Sequence, residues 1–401
     1  MPKTPATPAT HDIACALCGH TAPWLGDHVT QAHGLTVEEY GAAHGPVASA
    51  ALEAALDVDA PARRHPNMGD IRIEFAGVKP GVNADVPAEA CLPLPPAYRV
   101  PAHGALAADI REAAVSLLRG RSVYVWGLPG SGKDALFHAW SALTRTPAMI
   151  FQVEPGADVR SWFFTHEFNK EGTYWCEGEL LKALRDGYTT PTGRRVPYMI
   201  LITDFDRATK EQAESMRLVM DSISGRVKGP NGTTYPVLPG TRIVVTANTA
   251  GAGDSRGRCT SSNVIDASIL DRFERAYEFH WMDWRDEGPI VKEKFPLLLA
   301  KAPGAFDQVG RATEALRKAI QDEALYAEFS HRALCAWLGH AEDIVSVSDE
   351  VPADVLRRAF RSVADKMPDA ETRAEALRII DPHLRGGSLE QGDTSHVKGR
   401  R

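Results

Sequence analysis

Apolar and polar positions along the chain change rhythm more than once. Between residues 122 and 281 short apolar runs recur: SVYVW (122–126), AMIFQV (148–153), MILIT (199–203), RIVVTAN (242–248) and AYEFHW (276–281). Between them the apolar spacing lengthens to a helical period, as in DALFHAWSAL and KEQAESMRLVMDSIS. Short buried runs separated by helices predict a parallel α/β sheet. From about residue 288 only the helical rhythm persists, through PIVKEKFPLLLAKA, ATEALRKAIQDEALYAEF, HRALCAWLGHAEDI and PADVLRRAFRSVADK. An all-helical domain is therefore expected to follow the sheet.

The same pattern sets the expected boundaries. Residues 1–12 are rich in Pro, Thr and Ala and are expected to be disordered, as is the polar tail 385–401. A compact Cys/His segment occupies 13–45, and 46–103 reads as a linker and extended arm. Proline recurs through DVPAEACLPLPPAYRVPAH (85–103), which disfavours helix there. The α/β domain is expected over 104–285 and the helical domain over 286–384.

Candidate chemistry sharpens this outline at residues 123–140, VYVWGLPGSGKDALFHAW. Gly127, Pro129, Gly130, Ser131, Gly132, Lys133 and Asp134 form a G-x-x-x-x-G-K loop between an apolar strand and a helix, the context this motif requires. The glycines let backbone N–H groups wrap an anion. Lys133 brings positive charge to the β- and γ-phosphates, and the following helix offers its positive end. ATP with Mg²⁺ is the expected ligand. Other polar residues stand at later strand and helix ends: Thr203 and Asp204 in ILITDFDRA, Asn248 in VVTANTAG, Arg272 and Arg275 in SILDRFERAYEF, and Arg332 in FSHRALCAW.

The segments TANTAGAGDSRG, ILDRFERAYEF and SHRALCAW resemble the ATPase subunit of cobaltochelatase (CobS) and the wider MoxR-like branch of AAA+ proteins. The likeness extends over about residues 70–380. It implies an AAA+ P-loop α/β domain with a helical lid. Asn248 would be the sensor-1 residue that positions the attacking water, Arg272 the arginine finger that reaches a neighbour's γ-phosphate, and Arg332 the sensor-2 arginine of the lid. A finger acting in trans implies a homo-oligomer, a hexameric ring by analogy with the family. The appended Cys/His segment and the altered metal residues depart from a true cobaltochelatase subunit.

Two of those departures bear on metal chemistry. Asp134 occupies the position where the family carries Ser or Thr, and TDFD replaces the usual acidic strand end. Keeping the aromatic and the final Asp in place puts Thr203 at the Asp position and Asp204 at the Glu position, while an alignment shifted by one makes Asp204 the metal-site acid and leaves Phe205 at the base position. Normally the loop hydroxyl ligates Mg²⁺ and the strand carboxylate accepts its hydrogen bond. Here the side-chain types look exchanged: Asp134 is expected to ligate Mg²⁺, Thr203 to donate a hydrogen bond to it, and Asp204 to polarise the water. The opposing reading is a decayed site in which the extra carboxylate repels nucleotide.

Near the N-terminus, CALCGHTAPWLGDHVTQAHGLTVEEY spaces Cys15, Cys18, His28 and His33 as C-x2-C-x9-H-x4-H. Two thiolates and two imidazoles complete a closed tetrahedral Zn²⁺ site, whose binding energy would fold so small a segment. The spacing and the following HGLTVEEY resemble Ros/MucR zinc fingers. Those are associated with DNA, yet no Lys or Arg occurs between Thr4 and Ala62. A protein-docking finger is expected instead, with Trp24 and Leu25 as candidate contacts. His20 and His44 are spare histidines expected to face solvent.

Composition narrows the classes further. The chain has 401 residues, 44% hydrophobic and 24% charged, with a net charge of −7, which argues against coating nucleic acid along its length. No apolar run reaches the roughly 20 residues of a membrane span, and no signal-peptide core is present, so a cytoplasmic location is expected. The function so implied is an ATP-binding and ATP-hydrolysing ring protein that remodels an unidentified protein partner, recruited by the finger. One alternative is a nucleotide-gated DNA-binding factor using Arg226 and Lys228, expected on a hairpin, with the basic KGRR end. Another is a catalytically inactive scaffold subunit of a ring.

Overall fold

The computed structural model describes residues 13–18, 21, 22, 29, 32, 33, 37–44, 72–169, 172–215, 217–230, 232–253, 262–348 and 350–384. It comprises two compact units, residues 1–69 and 70–401. In the first, strands Ile13–Ala14 and Thr21–Ala22 pair antiparallel, and a helix spans Val37–His44. Val29 and Tyr40 are buried, and the Tyr40 hydroxyl accepts a hydrogen bond from the Ala16 N–H.

The second unit opens with helix α1 (Gly104–Leu118), strand β1 (Val123–Trp126), helix α2 (Lys133–Thr144) and strand β2 (Ala148–Gln152). A hairpin of β3 (Phe164–Asn169) and β4 (Gly172–Glu177) leads to α3 (Glu179–Asp186) and β5 (Met199–Thr203). A second hairpin, β6 (Arg226–Lys228) and β7 (Thr234–Pro236), precedes β8 (Arg242–Ala247) and β9 (Arg275–Glu278). The five apolar runs all become strands of one parallel sheet, ordered β9-β1-β8-β5-β2.

Alternation along these strands decides what covers each face. Val123, Val125, Leu201 and Val244 pack against Ile110 and Leu117 of α1 and Leu136, Phe137 and Trp140 of α2. Tyr124, Ile200, Ile202 and Val245 pack on the other face against Leu180, Leu181 and Leu184 of α3. Both faces are buried, which explains why the strands read as continuous apolar runs rather than alternating ones. The β6/β7 hairpin appears where the sequence predicts it, with Arg226 and Lys228 exposed. The β3/β4 hairpin lies where the apolar pattern predicts no element. Phe164 at its base is buried, but toward its tip the side chains of 166–168 and 173–175 are exposed, so no buried face imposes a pattern there; Phe168 is 81% exposed.

A helical domain follows the sheet, as expected: α4 (Trp284–Lys294), α5 (Pro296–Lys301), α6 (Ala305–Gln321), α7 (His331–Ser346) and α8 (Ala370–Leu384), with shorter helices between α7 and α8. Its core gathers the rings of Phe329, Trp337 and Phe360 with Leu298, Leu316 and Ala341. Asp283 and Ser330 cap α4 and α7 by accepting from the Arg285 and Ala333 N–H groups.

The proline-rich segment before α1 contains one 3-10 turn, Ala88–Ala90, and is otherwise non-helical. It is nevertheless packed, because Phe75, Val86 and Leu92 bury against the sheet domain. Polar anchors hold it as well. The Leu92 N–H donates to Ser141 Oγ at 2.9 Å, and Asp85 accepts from both Arg194 Nε at 3.0 Å and Thr192 Oγ1 at 2.9 Å, with a further, shorter contact to Arg194 Nη2. The Arg194 hydrogen bonds hold the Asp85 carboxyl well below the usual carboxylate range, against its partial burial. A depressed folded-state pKa stabilises the fold above the unfolded value of about 3.9, and that contribution disappears as pH falls below it. Protease protection of residues 72–103 is accordingly expected to weaken below about pH 4. In Asp85→Asn it should be weaker at neutral pH and insensitive to the same acidification.

Candidate functional site

Loop 127–132 carries the end of β1 into the start of α2. Its glycines are required by close approaches as well as by dihedral angles. Gly127 has φ 151°, and a Cβ there would stand 2.2 Å from the Phe279 carbonyl oxygen; Gly130 has φ 71°, and its Cβ would meet Ser330 Cβ at 2.5 Å. The second contact brings the N-terminus of α7, and Arg332 with it, against the loop.

Lys133, the first residue of α2, is only 8% exposed. Its ammonium donates to the carbonyl oxygens of Gly127 at 2.6 Å and Leu128 at 3.2 Å, and to Asn248 Oδ1 at 3.3 Å. These contacts hold the ammonium inside the loop, where an anion wrapped by the loop would meet it. Ser131 Oγ is buried beside it without a hydrogen-bond partner among the described residues. The loop forms one wall of a cleft of about 310 Å³; Pro96 and Tyr98 of the proline-rich arm, Ile290 of α4 and Arg332 of α7 line the rest.

Beneath the cleft lies an ionic network belonging to the helical domain. Fully buried Glu287 accepts two hydrogen bonds from Arg317, at 2.6 and 3.0 Å, and meets His331 Nδ1 at 2.8 Å. Arg317 also donates to the carbonyls of Phe329 and Met282, so the network ties α4, α6 and the start of α7 together. His331 Nε2 lies 3.3 Å from Cys335 Sγ. Burial disfavours charge on His331, but its hydrogen bonds to Cys335 and Glu287 outweigh that and push it up to about 9.

The loop residues Gly130, Ser131, Gly132, Lys133 and Asp134 line the cleft together with Arg332, and Asn248 meets Lys133 at its edge. Gly127 and Pro129 complete the loop. Asp204, past the end of β5, adopts φ 54° and accepts from Gln152 Nε2 at 3.1 Å. Arg272 and Arg275 do not line the cleft; they are exposed and donate to the carbonyls of Ser268 and Glu274 at 2.8 and 2.9 Å. The expected pairing of Thr203 with Asp134 is corrected. The hydroxyl that donates to Asp134 Oδ1, at 2.7 Å, belongs to Thr246 of β8. Sheet order explains it: β8 is the direct neighbour of β1, whereas β5, which carries Thr203, lies one strand further away.

Asp206 gains a role that its motif position did not reveal. Fully buried, its Oδ2 accepts from the backbone N–H groups of Asn248 and Thr249 and from the hydroxyls of Thr249 and Ser262, at 2.6–3.1 Å. It thereby holds the backbone that presents Asn248 to Lys133. Tyr124 secures the same turn by donating to the Thr249 carbonyl at 2.8 Å. In the sequence, Thr246 and Asn248 are two apart on one strand and so share a face, the one signal from which Thr246 could have been found.

In the first unit, Cys15, Cys18 and His33 place their ligand atoms within 4.8 Å of one another, with Cys15 Sγ 3.5 Å from His33 Nε2. The Tyr40 hydroxyl donates to Cys15 Sγ at 3.7 Å. His28, His20, Trp24 and Leu25 lie outside the described residues, and His44 is exposed.

No family model and no curated relative matches this chain. Among solved structures, a RuvB variant of Thermotoga maritima is 13% identical, with a TM-score of 0.43, over 65% of this chain and 69% of that one. The RuvB Holliday junction branch migration motor of the same organism is 12% identical, with a TM-score of 0.39, over 63% and 68%. Likeness at that identity concerns the fold alone.

Removing the Asp206 carboxylate leaves two buried backbone donors without a partner, so Asp206→Ala is expected to cost roughly 3 kcal/mol in urea unfolding. The same variant should lose ligand affinity at the cleft, measured by fluorescence titration, because Asn248 is no longer held against Lys133.

Proposed function

We propose that this chain is an ATP-binding and ATP-hydrolysing AAA+ protein of the MoxR/CobS-like branch that works as a ring and remodels a partner protein. The observation that carries the reading is the buried Lys133 ammonium, held by the carbonyls of Gly127 and Leu128 and by Asn248 inside a glycine loop that opens on a cleft facing Arg332. Loop N–H groups and Lys133 bind the phosphates, and Ser131 offers its unsatisfied hydroxyl to the same group. Apolar arm and lid residues accommodate the base. Asn248 orients the attacking water and Asp204 takes its proton. Arg332 answers charge on the γ-phosphate from the lid.

Mg²⁺ fits the hard oxygen donors available, with the exposed Asp134 carboxylate as the loop ligand and Thr203 and Asp204 at the end of β5, one strand beyond β8. When bound, the ion neutralises the triphosphate. Arg272 is exposed and, among the described residues, engages only a backbone carbonyl of its own chain, which suits a finger inserted into a neighbouring subunit's site; a hexamer follows from the family resemblance. The β3/β4 hairpin supports a protein partner: Phe168, Tyr174 and Trp175 are exposed there, the aromatic surface that protein contacts favour. Cys15, Cys18 and His33 are the donor set for a structural Zn²⁺, with His28 as the fourth ligand.

Two measurements test this reading. Lys133→Ala is expected to weaken ATP binding about tenfold or more, the loss of one charge-assisted contact. Arg272→Ala should bind ATP normally yet hydrolyse it about a thousandfold more slowly. Unchanged turnover in Arg272→Ala would remove the trans-acting finger, whereas a wild type that binds ATP without turning it over would leave the inactive scaffold. For the finger, elemental analysis is expected to find one zinc per chain, lost in a Cys15→Ser, Cys18→Ser variant while the 70–401 unit keeps its thermal transition.

A further inference from the structure

Strand β8 and the residue just past its end each contact the start of α2, and only one of the two contacts serves Lys133. Val244 packs on the face covered by α1 and α2, and Thr246 and Asn248 follow it at intervals of two residues. From this face Asn248 meets Lys133, and Thr246 Oγ1 donates to Asp134 Oδ1 at 2.7 Å. Thr246 is 2% exposed, so its hydroxyl is shielded from water and directed at the carboxylate. Asp134 is exposed and lines the cleft, with its second oxygen free of any hydrogen bond among the described residues.

We propose that Thr246 is the positioning residue for divalent-cation binding at the loop. By holding Oδ1, it turns Oδ2 of Asp134 toward the ion that accompanies the phosphates. The inference rests on the reading of the cleft as a nucleotide site and deepens it. In an ordinary loop a hydroxyl ligates the ion and a carboxylate from the sheet accepts its hydrogen bond. In this chain the ligand is a carboxylate and the sheet supplies the hydroxyl donor, from β8. The reversal has a physical requirement. Mg²⁺ tolerates little deviation from octahedral geometry, and a free carboxylate rotates where a pinned one does not. It also has a consequence: the extra negative charge beside the triphosphate makes nucleotide binding depend on the cation, since Asp134 repels phosphate when the cation is removed.

The test is binding of N-methylanthraniloyl-ADP, followed by fluorescence across a MgCl₂ series and in EDTA. Wild type is expected to bind with Mg²⁺ and at least tenfold more weakly in EDTA, by the scale of second-shell effects on metal sites. Thr246→Val keeps shape and strand propensity but loses the donor. Its half-saturating Mg²⁺ concentration should rise roughly tenfold, with EDTA binding unchanged. Thr246→Ser should restore the wild-type value. In an Asp134→Thr background, Thr246→Val should have no effect on Mg²⁺ dependence. Equal weakening of Thr246→Val in both buffers would mean that the threonine only supports the fold, and an unaltered Mg²⁺ series would mean that it does not position the ligand; either overturns this inference alone. A wild type that binds no nucleotide in either buffer, while circular dichroism shows it folded, overturns the cleft assignment and the inference together.

Discussion

The buried carboxylate of Asp206 is the contact on which the geometry of the site depends. A charge removed from water must be met by donors, and here these are two backbone N–H groups and two hydroxyls, all from the turn after β8 and the segment that follows. Because Asp206 itself follows β5, the bond locks the ends of two adjacent strands at one height. Asn248 is thereby set against Lys133, and Thr246 one rung below it against Asp134. On the carbonyl side of the same turn, the Tyr124 hydroxyl donates to Thr249 and the Ile265 N–H to Gly251.

A second set of constraints closes the cleft from the helical side. Gly130 permits the cap of α7 to touch the loop, and the Glu287–Arg317–His331 network fixes the start of that helix against α4 and α6. A buried ion pair of this kind adds little net stability, but it tolerates few alternative arrangements. All three of its side chains also line the cleft. The proline-rich arm completes the enclosure, since its anchors at Asp85 and Leu92 deliver Pro96 and Tyr98 to the cleft wall.

The loop's departure from the usual hydroxyl is not an isolated change. A carboxylate at position 134 stands in the first turn of α2, where the helix dipole favours negative charge, and it meets a hydroxyl donor from the sheet. The pairing of Thr246 with Asp134 is the contact on which the proposed exchange of roles rests.

How much of this was legible beforehand depends on the range of the interaction. Strands, helices, the phosphate loop and the helical domain follow from local spacing, because burial on two faces or one stripe imposes a period that the chain must carry in sequence. Lys133, Asn248 and Arg332 could be named because each sits at a fixed offset from an element's end. The Cys/His pattern was readable for the same reason. Lateral order of parallel strands has no local signature, so the sequence alone pairs Thr203 with Asp134, whereas β8 lies between β5 and β1. The role of Asp206, the enclosure by the arm and the exposed β3/β4 hairpin were likewise decided only by tertiary structure, since each depends on residues dozens of positions apart meeting, or on a surface that packing leaves free to carry any pattern.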